Sequence, residues 1–196
     1  MSSAASSPIR TAIVGCGRVA RYHAAGYAKH APRCKLVAVM DPTLDKARTF
    51  ASEHGEPFSP AVYDDLSAML QEARPDLVSV CTPPGAHASV VLAALKAGAW
   101  AYCEKPICES LEQFDAIVDA EKRGTARCCG VMQWRSAGSA RHVLSLIRKG
   151  VFGRALTAAC NTTWYRDDDY YAVPWRGTFA GESGGTVVSH GIHTID

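Results

Sequence analysis

Two hydrophobic textures alternate from Thr11 to Val131. Short unbroken apolar runs ("TAIVG", "KLVAVM", "DLVSVCT", "AWAYC", "ARCCGVM") are separated by longer stretches with helical spacing of apolar residues. Those stretches read "RVARYHAAGYAKH", "TLDKARTFASEH", "VYDDLSAMLQEA", "HASVVLAALKAG" and "LEQFDAIVDAEKRG". An unbroken apolar run of strand length suits a strand covered on both faces. Strands alternating with helices at this spacing predict an α/β fold, a doubly wound parallel sheet with helices on both sides and right-handed crossovers. After Met132 the texture changes. "SARHVLSLIRKG" predicts one helix ending at Gly150, "ALTAACNTTWYR" a longer β-like stretch, and "DDDYYAVPWRGTFAGESGG" a loop rich in aromatics and acids. "TVVSHGIHTID" predicts the start of another helix. The expected organisation is a flexible tail at 1–9, the doubly wound domain at 10–131, and part of an α+β domain at 132–196. A single helix and strand make a poor α+β layer, so the chain is expected to be a fragment or a truncated product.

Composition narrows the function classes. The chain has 196 residues, 47% hydrophobic and 20% charged, an ordinary globular balance. A net charge of +2 and no basic run interleaved with aromatics argue against a nucleic-acid partner. No apolar stretch reaches membrane-spanning length. "MSSAASSPIR" has no apolar core of a secretory leader, so the cytoplasm is the expected location. The cysteines are Cys16, Cys34, Cys81, Cys103, Cys108, Cys128, Cys129 and Cys160. They include no C-x-x-C pair and several fall inside strand-like runs, so free thiols are expected in preference to disulfides, and no metal site.

Candidate chemistry begins at "AIVGCGRVA". Gly15 and Gly17 stand between a strand signal and a helix signal, the setting of a G-x-G-x-x-G/A dinucleotide fingerprint. Gly15 would make the sharp turn, and Gly17 would let backbone amides approach a pyrophosphate. Ala20 is small enough for helix and strand to pack. Arg18 and Val19 complete the turn beside the cofactor, whose phosphates would meet the amides of the helix start. "KLVAVMD" is the next strand, and Asp41 at its end can accept hydrogen bonds from the adenosine ribose hydroxyls. A carboxylate there would repel a 2′-phosphate, which favours NAD over NADP. A capping role for Asp41 at the "TLDKA" helix is the competing reading. Together these features predict a Rossmann domain.

"CTPPGAHASVVLAALKAGAWAYCEKP" closely resembles the glucose–fructose oxidoreductase and inositol dehydrogenase (Gfo/Idh/MocA) family in Thr82-Pro83, His87, Ala94-Leu95, Ala97-Gly98 and Glu104-Lys105-Pro106. The opening "GCGRVARYHAAG" is similar to the family's glycine motif, with His23 in the histidine place. "WRGTFAGESGGTVVSHGIHTID" matches through Trp175-Arg176-Gly177, Gly184-Gly185, His193 and Asp196. Many family dehydrogenases carry Asp four residues before the histidine, where this chain has Ser189. That departure alters the polarity of the substrate wall.

The resemblance implies hydride transfer between NAD and a secondary alcohol of a sugar, cyclic polyol or nucleotide sugar. Lys105 and His193 would be the catalytic pair, an ammonium on the reacting oxygen and a general base. Thr82, Pro83 and His87 would line the nicotinamide side, and Glu104 would reach the nicotinamide ribose. Pro106 is expected to follow a cis bond. Trp175 and Arg176 would contact cofactor and substrate, or else an interface. Tyr165, Ser189, His193 and Asp196, with Lys105, would face substrate. Arg166, Tyr170 and Tyr171 resemble carbohydrate-facing loop residues, with ordinary loop packing as the alternative. Asp167, Asp168 and Asp169 read as a solvated run, His23 as a site residue or a satisfied core histidine, and His87 alternatively as a helix cap. Family members continue through an open sheet bearing the oligomer interface, which implies a homo-oligomer through the C-terminal domain. The competing function is a truncated, non-catalytic NAD-binding protein with a structural or regulatory role.

Overall fold

The computed structural model describes residues 7–182 and 185–196. Residues 1–6 of the expected tail and Gly184 of the glycine pair lie outside the described residues. The chain divides after Gly130 into two compact units.

In the first unit the apolar runs become β1 (Ile9–Val14), β2 (Cys34–Met40), β4 (Leu77–Val80), β5 (Trp100–Cys103) and β6 (Cys128–Gly130), joined by β3 (Ala61–Tyr63). They form one parallel six-stranded sheet in the order β3-β2-β1-β4-β5-β6. Parallel neighbours require a crossover, here a helix in each case. These are α1 (Ala20–Lys29), α2 (Leu44–His54), α3 (Leu66–Ala73), α4 (His87–Lys96) and α5 (Leu111–Arg123).

Alternate strand residues serve opposite faces. Ile13 and Leu36 pack with Ala20 and Ala24 of α1 and Phe50 of α2. Ala12, Val14, Val78 and Val80 pack with Met69 of α3, Val91 of α4 and Ile117 of α5. Both faces are therefore covered, which is why the strands read as unbroken apolar runs. The strand order reverses between β1 and β4, so a crevice opens at their carboxyl ends.

One stretch differs from the expectation. "VYDDLSAMLQEA" reads as a single helix, yet Ala61–Tyr63 pairs with Ala38–Met40 as an edge strand. Asp65 then starts α3 by accepting the Ala68 amide at 2.7 Å. Three residues are too few to display a strand period.

The second unit contains α6 (Gly138–Arg148), α7 (Asp168–Tyr171), α8 (Phe179–Glu182) and α9 (Ile192–Ile195), the last preceded by a π turn at Val187–Gly191. The stretch at 155–166, expected to be β-like, forms no strand, and Leu156 is 80% exposed. A β pattern needs a neighbouring strand to complete its ladder, and no strand occurs among the described residues of this unit.

Candidate functional site

The crevice of the first unit is built by backbone ladders continuing past the strand ends. Gly15 N donates to Met40 O and Cys81 N to Val14 O, each at 2.8 Å. Gly15 has φ +90°, and a Cβ there would sit 2.7 Å from the Cys81 carbonyl carbon and from Thr82 N. Only glycine lets the β1 turn press this closely on the loop after β4. Gly17 is the opposite case, because a Cβ there would meet nothing within 4 Å. Arg18 is exposed and Val19 half-buried between this turn and the start of α1. The first turn of α1 carries no acidic residue, so no carboxylate there offsets the partial positive charge of the helix start.

Asp41 holds this turn in place. Its Oδ2 accepts the Cys16 amide at 3.0 Å and its Oδ1 accepts the Thr43 amide at 2.9 Å. The carboxylate thus organises both the glycine turn and the approach to α2, and each oxygen retains capacity for a further donor. An open cleft of about 470 Å³ lies alongside, lined in part by Cys16, Gly17, Arg18, Thr43 and Lys46. Burial, with the Asp41 charge adding to it, pushes the Cys16 thiol up to about 12.

On the other side of the switch point stand Thr82, Pro83, Glu104 and Lys105, with His87 beneath them. Thr82 Oγ1 is buried and has no hydrogen-bond partner among the described residues. His87 is 1% exposed. Its Nδ1 lies 2.5 Å from Pro106 O and its Nε2 lies 2.8 Å from Thr82 O. The ring therefore lies buried between the loops after β4 and β5, directly beneath Thr82. Its two nitrogens are drawn to carbonyl oxygens instead of the crevice. Lys105 is half-buried, and its bond to Pro106 is cis.

Glu104 is held from below. Its Oε1 is 3.0 Å from His23 Nε2, with the two side chains 15% and 7% exposed. His23 Nδ1 is 2.9 Å from Ser79 Oγ, which is 2.5 Å from the Tyr27 hydroxyl. With Glu104 ionised and His23 neutral, one direction satisfies every group. The Tyr27 hydroxyl donates to Ser79, Ser79 donates to His23 Nδ1, and His23 Nε2–H donates to Glu104. Burial, opposed by the Ser79 hydrogen bond, raises the Tyr27 phenol well above its ordinary value. Sequence reasoning missed Ser79 and Tyr27. The available signal was a lone hydroxyl inside the apolar run "LVSV".

The second unit groups its candidates around aromatic rings. His193 stacks on Trp134, centroids 6.3 Å apart and planes 12° apart, and Trp134 adjoins Trp164 at 6.0 Å. Ser189 was expected to share a helical face with His193. Residues 187–191 form a π turn that runs into α9, and Ser189 Oγ lies 2.7 Å from Nδ1 of the adjacent His190. The Asp196 carboxylate accepts Arg135 Nε at 2.7 Å and is also bonded by Nη2 of the same guanidinium. Arg135 is a partner that sequence reasoning missed. Arg176 lies 4.1 Å from the Tyr170 ring centroid and 4.4 Å from that of Trp175, donates to the Tyr170 hydroxyl, and faces Glu182 at 3.7 Å. Tyr165 is 84% exposed. Lys105 belongs to the first unit and His193 to the second.

Residues 9–131 match a family model described as an oxidoreductase family with an NAD-binding Rossmann fold, and residues 140–196 match the GFO/IDH/MocA C-terminal domain. The chain is 33% identical over 199 residues to D-glucoside 3-dehydrogenase of Escherichia coli, covering 100% of this chain and 54% of that protein. It is 32% identical over 121 residues to the NAD⁺-dependent scyllo-inositol 2-dehydrogenase of Bacillus subtilis, covering 61% of this chain and 34% of that one. Among solved structures, the WlbA dehydrogenase of Bordetella pertussis, crystallised with NADH and UDP-GlcNAcA, superposes with a TM-score of 0.88 at 28% identity. That match covers 96% of this chain and 57% of the other. The chain spans about half the length of D-glucoside 3-dehydrogenase and WlbA.

Proposed function

Because the chain belongs to the Gfo/Idh/MocA family of oxidoreductases, we propose that it binds NAD at the β1/β4 switch point and oxidises a secondary alcohol of a sugar, cyclic polyol or nucleotide sugar. The observation that carries this reading is the pair of glycines. Gly15 is fixed by backbone contact with Cys81 and Thr82, whereas Gly17 faces open space at the start of α1. That arrangement suits a pyrophosphate approaching bare amides. The buried, unsatisfied Thr82 Oγ1 fits a ligand group on the same side.

Bound NAD would supply the hydride acceptor, and the chain's own residues would do the rest. The amides of Gly17, Arg18 and Val19, beyond the paired Gly15 and Cys16 amides, bind the diphosphate. Asp41 accepts the adenosine ribose hydroxyls and disfavours a 2′-phosphate. Glu104, oriented by His23, presents its second oxygen to the nicotinamide ribose. Trp175 and Arg176 contribute a ring face and a charge to cofactor or substrate. The Lys105 ammonium donates to the reacting hydroxyl oxygen, and His193 accepts its proton. Tyr165, Ser189 and Asp196 complete the sugar wall. Eight free thiols suit a reducing compartment, which supports a cytoplasmic location. No described helix is long and apolar enough to cross a membrane.

The test is titration with NADH followed by tryptophan fluorescence, together with absorbance at 340 nm across a panel of sugars and polyols. NADH binding with turnover supports the reading. Binding without turnover on any member favours a nucleotide-binding protein that does no chemistry, and absence of NADH binding overturns both.

A further inference from the structure

Two guanidinium groups share one phenol ring in the second unit. Arg176 lies 4.1 Å and Arg166 4.9 Å from the Tyr170 centroid. Two cations so close require compensating charge in a partly desolvated setting. Glu182 supplies it to Arg176 at 3.7 Å. Arg166 makes no ion pair among the described residues. Its neighbour Asp167 is turned away, accepting the Tyr170 amide at 3.0 Å, and Asp168 and Asp169 are exposed to solvent.

The Arg166 donors are unevenly used. One terminal nitrogen, Nη1, donates to Tyr165 O at 2.8 Å. Nε is buried and has no hydrogen-bond partner among the described residues. The Nε–Nη2 edge is therefore the unused one, and its two parallel N–H groups match the spacing of a carboxylate or phosphate. Leaving such a donor buried and unsatisfied is costly, which points to a ligand group that completes it. Arg166 also stands 5.8 Å from the Trp164 ring centroid, and Trp164 adjoins Trp134, on which His193 stacks. Trp134 and Trp164 are each 47% exposed with their planes 44° apart, so they offer two angled apolar faces between Arg166 and the proposed base.

We propose that Arg166 is the anion-recognition residue of the substrate site: the sugar lies on Trp134 and Trp164, and a carboxylate or phosphate oxyanion that it bears pairs with the Nε–Nη2 edge. The inference deepens the dehydrogenase reading and rests on it. It separates acidic or phosphorylated sugars from neutral glycosides and inositols. A uronic acid carboxylate and a sugar-nucleotide diphosphate share this chemistry.

Calorimetry on the NADH-loaded chain distinguishes the sources, with methyl β-D-glucuronide, UDP-glucose and the neutral methyl β-D-glucoside as probes. One anionic probe is expected to bind about tenfold or more tightly than the glucoside. Preference for the glucuronide assigns a carboxylate, and preference for UDP-glucose a diphosphate. Arg166→Gln should abolish the preference while NADH affinity stays within a few-fold. Arg166→Lys, which keeps the charge and loses the fork, should restore only part of it. Equal or tighter binding of the glucoside, survival of the preference in Arg166→Gln, or no binding of any probe by an NADH-competent chain would each overturn the proposal. Failure to bind NADH instead counts against the dehydrogenase reading, and the same three titrations without cofactor still decide the role of Arg166.

Discussion

Gly15 and Gly17 lie two residues apart, yet alanine at each should fail for a different reason. At Gly15 the φ of +90° is hostile to any side chain, and the added Cβ would stand 2.7 Å from two backbone atoms of the loop after β4. The left-handed conformation costs about 1–2 kcal/mol. Pushing two backbones apart adds about 1–3 kcal/mol of overpacking strain. Gly15→Ala should therefore destabilise the first unit by about 2–5 kcal/mol, enough to lower its thermal midpoint by roughly 10 °C. At Gly17 the new Cβ meets nothing within 4 Å, so stability should stay within about 0.5 kcal/mol. The methyl would instead occupy the space through which the diphosphate approaches, and the NADH dissociation constant should rise about tenfold or more. Circular-dichroism melts and NADH fluorescence titrations on both variants make the comparison. An unchanged melt for Gly15→Ala, or wild-type NADH affinity in Gly17→Ala, would refute the reasoning.

Lys105→Ala should lower turnover by about two or more orders of magnitude while NADH affinity stays within a few-fold, read from steady-state kinetics beside direct titration. Asp41→Ala should weaken NAD binding and relax the exclusion of NADP, and it should also cost about 1–2 kcal/mol because the Cys16 and Thr43 amides lose their acceptor. His23→Leu removes the donor from Glu104 and the acceptor from Ser79, so a loss of about 2–4 kcal/mol in urea unfolding is expected. Stability should be level from pH 7 to 9 and fall above it. Burial raises the Cys16 and Cys128 thiols from 9.0 to about 12, so the unfolded chain loses these protons first as pH rises and is favoured. A urea midpoint that holds or climbs between pH 9 and 11 would contradict this.

Much of the first unit is legible because a doubly covered sheet leaves an unmistakable residue pattern. β1, β2, β4, β5 and β6 announce themselves as apolar runs, and the glycine turn follows from its place between a strand and a helix. β3 is hidden because three edge residues carry no period. The stretch at 155–166 misleads because β propensity reports what a residue tolerates, not whether a partner strand exists. In the site, local chemistry such as the Gly15 turn can be read directly. Long-range pairing cannot: His23 and Glu104 are 81 positions apart, and no spacing rule joins them. Ser189 shows a third kind of gap, because nothing in "VVSHGIH" marks the π turn or the contact of Ser189 with its neighbour His190.

The imidazole of His87, sealed between the Thr82 and Pro106 carbonyls, has a mechanical consequence. A neutral imidazole has one N–H, so the ring donates to one of these carbonyls and packs against the other, and sliding either loop alone would disturb a buried contact that couples the two walls of the crevice. Engineers seeking a wider mouth would gain little by lengthening one of these loops while that cross-brace stands.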